Sequence, residues 1–466
     1  MTIRIAPRRT ARPRSASAAE RLRSFGIVAL LAGLVLILVP PSVGRAQSDS
    51  LRTLADDAGL SLGAAVDVDG LADEAYRALL AEHVNLLSTQ GDLSMAVVQP
   101  EPGTFDFGAA EAIVDFAVEV DVPVRGHELI GGAVPGWVSG GSWTAETLTE
   151  VLRTHVTAVV GHFRDRNPGV VTQWDVVGDA FLPDGTPRPT IWQQVIGDDH
   201  LRIAFEAARA ADPDAELFYD DFYDDLAVTQ DAVAAGDAIV PGANAERTTC
   251  DAVPKCAAVR ERVSALVDAG APIDGIGFQA HLFSPDPADF GQFSDWVGDL
   301  GLRWAVTEFD VPLPVTEIES PGSLDYQAGV YAAALTSCVD DPGCDTFVTW
   351  GLSDRFSSIP AETGGAFGGA LVFDADDAAK PAFEAMAGVL RPLAISTTTT
   401  APESSASSVT AATDPRDPDS PANESDADPA LSPVVTVLVV LGVLGAVATA
   451  VVISRRRRAS PDATNP

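Results

Sequence analysis

Gln173-Trp-Asp-Val-Val-Gly-Asp-Ala-Phe181 carries the clearest signal of fold class in the chain. Its front half is short, apolar and β-branched, the composition of a strand buried inside a parallel sheet. Gly178 breaks the run, and Asp179 follows where the strand should end. Trp304-Ala-Val-Thr-Glu308-Phe-Asp310 has the same build, with carboxylates at its far end. In barrels of alternating strands and helices, residues at C-terminal strand ends carry the chemistry. Two such carboxylates, distant in sequence but close in space, are what acid/base or nucleophilic work on a glycosidic bond requires.

Outward from these segments, Leu60–Val66, Val122–Val124, Val170–Val177, Glu216–Tyr219, Ile273–Phe278, Arg303–Thr307 and Thr346–Trp350 read as strands. Leu148–Phe163 and His200–Ala211 are amphipathic, the second placing Leu201, Ala204, Phe205 and Ala208 at helical spacing. This alternation predicts an α/β fold, a (β/α)8 TIM barrel over residues 55–394. A doubly wound open sheet shares the periodicity, but no glycine-rich phosphate loop accompanies it, and no cofactor is expected.

The flanks are of another kind. Residues 1–24 are arginine-rich, Phe25–Val39 is apolar and Gly44-Arg45-Ala46 offers small residues for cleavage, so 1–46 reads as a secretory signal. Residues 395–433 form a Ser/Thr/Asp/Pro linker too polar to bury a core, expected to be disordered. Val434–Ile453 is uncharged and is followed at once by Arg455–Arg458. That pattern predicts a single transmembrane helix over 434–453 with a cytoplasmic tail, 454–466. The expected location is therefore the cell membrane, spanned once, with the barrel outside.

The chain carries 30 Lys+Arg against 66 Asp+Glu, a formal net charge of −36. Because the basic residues gather at the two ends, the stretch between is more acidic still. Such a surface repels nucleic acid, and no nucleic-acid partner is expected. Cys250 and Cys256, and Cys338 and Cys344, are each separated by five residues, with no short-spaced Cys/His cluster. In an exported chain these read as two local disulfides, each contributing about 2 kcal/mol. Asp220-Asp221-Phe-Tyr-Asp224-Asp225 lacks the glycine turn of a calcium loop, and no metal site is expected.

The order of segments resembles glycoside hydrolase family 10, the xylanase-like endo-β-1,4-glycanases, over essentially all of 55–392. Phe105-Asp-Phe107 with Val124-Arg-Gly-His127, then Trp174-Asp-Val-Val177, are similar to the third and fourth strand signatures. Leu217-Phe-Tyr-Asp-Asp221, Ile273-Asp-Gly-Ile-Gly-Phe-Gln279-Ala-His281 and Thr307-Glu308-Phe-Asp310 resemble the fifth, the sixth and the nucleophile motif. Cys338 and Cys344 before Thr349-Trp350-Gly351, and Val372-Phe-Asp374 before Lys380-Pro-Ala382, complete the series. The resemblance implies a retaining mechanism with Glu308 as nucleophile and Asp179 at the acid/base position. It further implies that His281 orients the nucleophile, and that Gln279, His127 and Trp350 contact a poly- or oligosaccharide. The other reading of Glu308 is a buried structural acid paired with an arginine.

The departures cluster at the site. The family's Asn-Glu is Gly178-Asp179 here, and Asp is shorter than Glu by one carbon–carbon bond, about 1.5 Å. A retaining pair stands only about 5–5.5 Å apart, so that loss matters. The family's sugar-holding Asn and Lys are replaced by Gly91 and Ser94, its Trp-His by Gly131-Gly132, and a stacking Trp by Ser358. A wider cleft mouth is expected. Glu128 replaces an uncharged family residue and offers a further acid, although a solvated strand-end charge is the commoner reading of such a residue. The function expected is a cell-surface retaining β-glycoside hydrolase resembling endo-1,4-β-xylanases, weak or of altered specificity. The alternatives are a non-catalytic carbohydrate-binding barrel and an acidic scaffold for cell-wall contacts.

Overall fold

A computed structural model describes residues 50–222, 250, 253–283 and 290–398. Every described residue belongs to one compact unit, which lies within residues 1–402. Eight parallel strands close into a barrel: β1 (Ser61–Val66), β2 (Leu86–Thr89), β3 (Val124–Gly126), β4 (Val171–Gly178), β5 (Glu216–Phe222), β6 (Gly275–His281), β7 (Arg303–Asp310) and β8 (Cys344–Thr349). β8 pairs back onto β1, with Ser61 opposite Thr346, so the sheet has no edge left to cap. The helices on the outside include α1 (Leu51–Ala58), α2 (Glu74–His83), α3 (Gly108–Val120), α4 (Ala145–Arg166), α5 (Asp199–Ala211), α6 (Pro254–Asp268), α7 (Phe290–Asp299), α8 (Pro321–Val339) and α9 (Pro381–Thr398).

Local chemistry explains why these segments take these forms. α4 buries Leu148, Leu152, Val156, Val159, Val160 and Phe163 along one stripe, and Thr144 caps its first turn. β6 is buried at every position, as a strand covered on both faces must be. Inside the barrel Arg125 is fully buried and donates from Nε to Asp175 (2.9 Å), from Nη2 to the other Asp175 oxygen, and from Nη1 to Gln173 (3.0 Å). Its guanidinium lies 4.3 Å from the Phe218 ring centroid. Burial alone would raise the Asp175 carboxyl, but the charges of Arg125 and His127 hold it below the ordinary range.

Seven of the eight barrel strands stand where the sequence placed them. β2 was not among the expected strands: Leu-Leu-Ser-Thr is too short to show a period of two, and only its pairing with β1 and β3 makes it a strand. β6 and β7 run on to His281 and Asp310, so the expected site residues lie on the strands themselves. The first helix begins at Leu51, capped by Ser50, earlier than the expected barrel start at 55. α9 continues to Thr398, past the expected linker start at 395. Both disulfides are formed, Cys250–Cys256 and Cys338–Cys344, each with Cα atoms 5.1 Å apart. Among the described residues no helix is long and apolar enough to cross a membrane. The expected signal 1–46, span 434–453, tail 454–466, the linker beyond 398, and Asp224 and Asp225 lie outside the described residues.

Candidate active site

The C-terminal ends of β6 and β7 build one wall. Their pairing sets Gln279 opposite Glu308 and His281 opposite Asp310. His281 donates from Nε2 to Glu308 Oε2 (3.1 Å) and from Nδ1 to Asp310 Oδ2 (3.0 Å), with all three side chains buried. Burial on its own would lower the imidazole pKa. The charges and hydrogen bonds of Asp310 and Glu308 outweigh it and hold His281 well above the usual histidine range. Both ring nitrogens therefore carry protons, and Glu308 is fixed as an acceptor. The other Glu308 oxygen lies 3.4 Å from His127 Nε2. Trp350 packs edge-on against both imidazoles, at ring distances of 5.3 and 6.2 Å.

The floor comes from β3, β4 and β5. His127 follows β3 through a segment whose peptide to Glu128 is cis. Its backbone N–H donates to Thr89 Oγ1 (2.8 Å), and its Nδ1 lies 3.2 Å from Asp175 and 3.7 Å from Asp220. Desolvation would lower its pKa, but Glu308, Asp175 and Glu128 raise it well above the usual value. Asp220 accepts from Gln279 (2.7 Å) and Thr307 (2.6 Å). A Cβ on Gly277 would overlap the Asp220 carboxylate, so glycine is needed there. Burial first, then Asp175 and Glu308, push Asp220 well above the carboxylate range. His127, Asp175 and Asp220 place donor atoms within 4.8 Å of one another. A cation there would have to compete with Arg125 and with the protons of His127.

The opposite wall is less bonded. β4 ends at Gly178, and Asp179 takes a left-handed backbone, φ 53°. Its N–H donates to Asp220 O (3.1 Å) and its carbonyl accepts from Arg188 (2.7 Å), while Oδ1 is buried with no hydrogen-bond partner. Burial, then repulsion from Asp221, Glu128 and Glu308, pushes Asp179 up to about 8, against a downward pull from Lys255. Asp221 is held by Lys255 (2.6 Å) and accepts from the Tyr219 hydroxyl (2.8 Å).

Asp179, Glu308, His281, His127, Gln279 and Trp350 thus belong to one cluster, and Glu308 pairs with histidines, not with an arginine. Two expectations need correction. Glu128 is not a solvated charge: its carboxyl is half-buried in the cleft, and burial, then Glu308, Asp175 and Asp221, raise it despite His127. Gly131 was expected to open the cleft wall, but the Glu128 carboxyl fills the space beside it. Gly91 and Gly132 do face open space. Lys255 went unread, although a signal existed. Lys255 and Lys380 are the only lysines in the chain, and both are buried against aspartates.

The sequence matches the model of glycosyl hydrolase family 10 over residues 50–237 and 245–389. The chain belongs to glycosyl hydrolase family 10. Within that family it is 33% identical over 371 residues to endo-1,4-beta-xylanase B of Thermotoga neapolitana, covering 78% of this chain and 96% of the relative. It is 31% identical over 348 residues to endo-1,4-beta-xylanase C of Phanerodontia chrysosporium, covering 73% and 79%. Among solved structures, xylanase 10B of Thermotoga maritima superposes with a TM-score of 0.64 at 32% identity, covering 74% of this chain and 99% of that one. Xylanase 10B of Thermotoga petrophila, in complex with xylobiose, gives 0.65 at 30% identity, covering 75% and 100%.

Proposed function

We propose that this family 10 chain is a retaining β-glycoside hydrolase acting on xylan-like β-1,4-linked saccharides, tethered outside the cell membrane by its C-terminal segment. The observation that carries the reading is the Asp310–His281–Glu308 relay at the ends of β6 and β7. It holds one carboxylate rigidly, with a lone pair free to attack. Glu308 attacks the anomeric carbon while a carboxyl on the opposite wall, where Asp179 stands, protonates the departing oxygen. The glycosyl ester on Glu308 is then hydrolysed by water, with the same opposite-wall group now acting as base. The protonated His281 stabilises Glu308 as it is released, and Trp350 supplies an apolar face for the sugar.

Gly91, Ser94, Gly132 and Ser358 offer fewer clamps than the motifs they replace. With each lost hydrogen bond in a buried site costing about 1–3 kcal/mol, a slow enzyme or one of altered specificity is expected. The test is hydrolysis of xylan and of para-nitrophenyl β-xylobioside by wild type and Glu308→Gln, with the anomer first released followed by NMR. Release of the β-anomer, lost in the variant, supports the reading, while equal rates in the two proteins end it. The short Asp179 arm favours a second reading, carbohydrate binding without turnover. Calorimetric binding of xylo-oligosaccharides with no products formed would select it.

A further inference from the structure

Gly178 and Gly131 carry no side chains, yet the space beside them is filled. A Cβ on Gly178 would stand 3.0 Å from the Glu128 carboxyl carbon and closer still to Oε2. One on Gly131 would stand 2.8 Å from Oε2 and closer to Oε1. Neither glycine has a positive φ, so backbone conformation does not demand glycine at either place. Room for the carboxyl does. The chain after Glu128 is laced to β4: Leu129 N–H donates to Asp175 O (2.9 Å), Ile130 N–H to Val176 O (3.1 Å), and Gly178 N–H to Ile130 O (3.0 Å). These bonds hold Glu128 over the end of β4, directly beside Asp179.

We propose that Glu128 is the group that passes its proton to the leaving oxygen, with Asp179 as the positioning carboxyl beside it. The proposal rests on the retaining-hydrolase reading and assigns its second carboxyl. Glu128 has the longer arm, by about 1.5 Å, and so offsets the short reach of Asp179. The charged groups around it are His127 just after β3, Asp175 on β4 and Asp179 just past its end, Asp221 on β5 and Glu308 on β7. Its carboxyl lies against Gly178, the last residue of β4 and the neighbour of Asp179, which puts it at the acid/base end of the cleft.

In the first step a Glu308 oxygen bonds to the anomeric carbon. The glycosidic C–O bond breaks with its electron pair going to the leaving oxygen, which takes the Glu128 proton. In the second, the Glu128 carboxylate takes a proton from water, and the water oxygen displaces Glu308 from the anomeric carbon. Both carboxyls return to their starting states.

The experiment uses the full chain with two substrates, xylotetraose, whose leaving group needs a proton, and dinitrophenyl β-xylobioside, whose leaving group does not. Glu128→Gln is expected to lose about 10²–10⁴-fold in kcat/KM on xylotetraose and less than about tenfold on the dinitrophenyl substrate. Added azide should then yield a xylobiosyl azide of retained configuration. Gly178→Ala should reproduce the xylotetraose defect by pushing the carboxyl aside, and its loss of stability should vanish in a Glu128→Ala background. Asp179→Asn should lower kcat/KM by a similar factor on both substrates, so keeping the wild-type dependence on leaving group, and should shift the pH profile. Wild-type cleavage of xylotetraose by Glu128→Gln, or azide rescue in Asp179→Asn alone, overturns the proposal and spares the hydrolase reading. A wild-type protein inactive on both substrates defeats that reading, and the proposal with it.

Discussion

The two walls of the cleft are built to different standards. On the β6–β7 side one buried imidazole joins two carboxylates: His281 donates to Asp310 and, at 3.1 Å, to Glu308, while the second Asp310 oxygen is buried without a hydrogen bond. On the β3–β4 side Asp179 has a buried oxygen with no partner, and Glu128 occupies space left by two glycines. A nucleophile must be aimed, and the hydrogen bond from His281 to Glu308 does that. A proton donor must stay protonated near neutral pH, and burial among like charges achieves that. The difference in bonding is thus a difference in task.

The comparison breaks most sharply at Glu308. Glu308→Gln is expected to lower kcat/KM on para-nitrophenyl β-xylobioside by at least about 10⁴-fold, with little change in melting temperature, because the relay geometry survives. The next effect falls on the floor between the walls. Arg125→Met leaves Asp175 buried without its cation and should cost about 3–5 kcal/mol in urea denaturation.

The smallest effect sharpens the electrostatic difference between the walls. Asp179 binds its proton more tightly folded than unfolded, raised from the ordinary aspartate value of 3.8 up to about 8. Its contribution to stability is therefore full at low pH and is lost as pH rises across that window. Asp179→Asn should flatten the fall in melting temperature between about pH 4 and pH 8. His281 and His127 are raised in the same sense, so their contribution is present below about 6.5, the free-histidine value, and is lost as pH climbs through their elevated folded values. That loss should persist unchanged in the variant. A variant whose melting curve follows wild type throughout would show that Asp179 titrates as an ordinary solvated acid.

Much of this was legible in the chain itself. Apolar β-branched runs ending in glycine or a carboxylate mark β4 and β7 because a strand covered on both faces admits little else. Cysteines with five residues between them pair locally because short loops close easily. β2 escaped because four residues carry no period. Glu128 was misread because a carboxylate after a strand looks the same in sequence whether it faces water or a cleft. Only the lacing of residues 129 and 130 to β4 turns it inward.

Local pattern and motif were enough to mark the barrel, the acids Asp179 and Glu308 near strand ends, and the histidine between Glu308 and Asp310. Tertiary structure alone decided which acids share a cleft, which are paired and which stay protonated. Those properties depend on burial and on charges brought together from β3, β4, β5 and β7, and no stretch of sequence contains them.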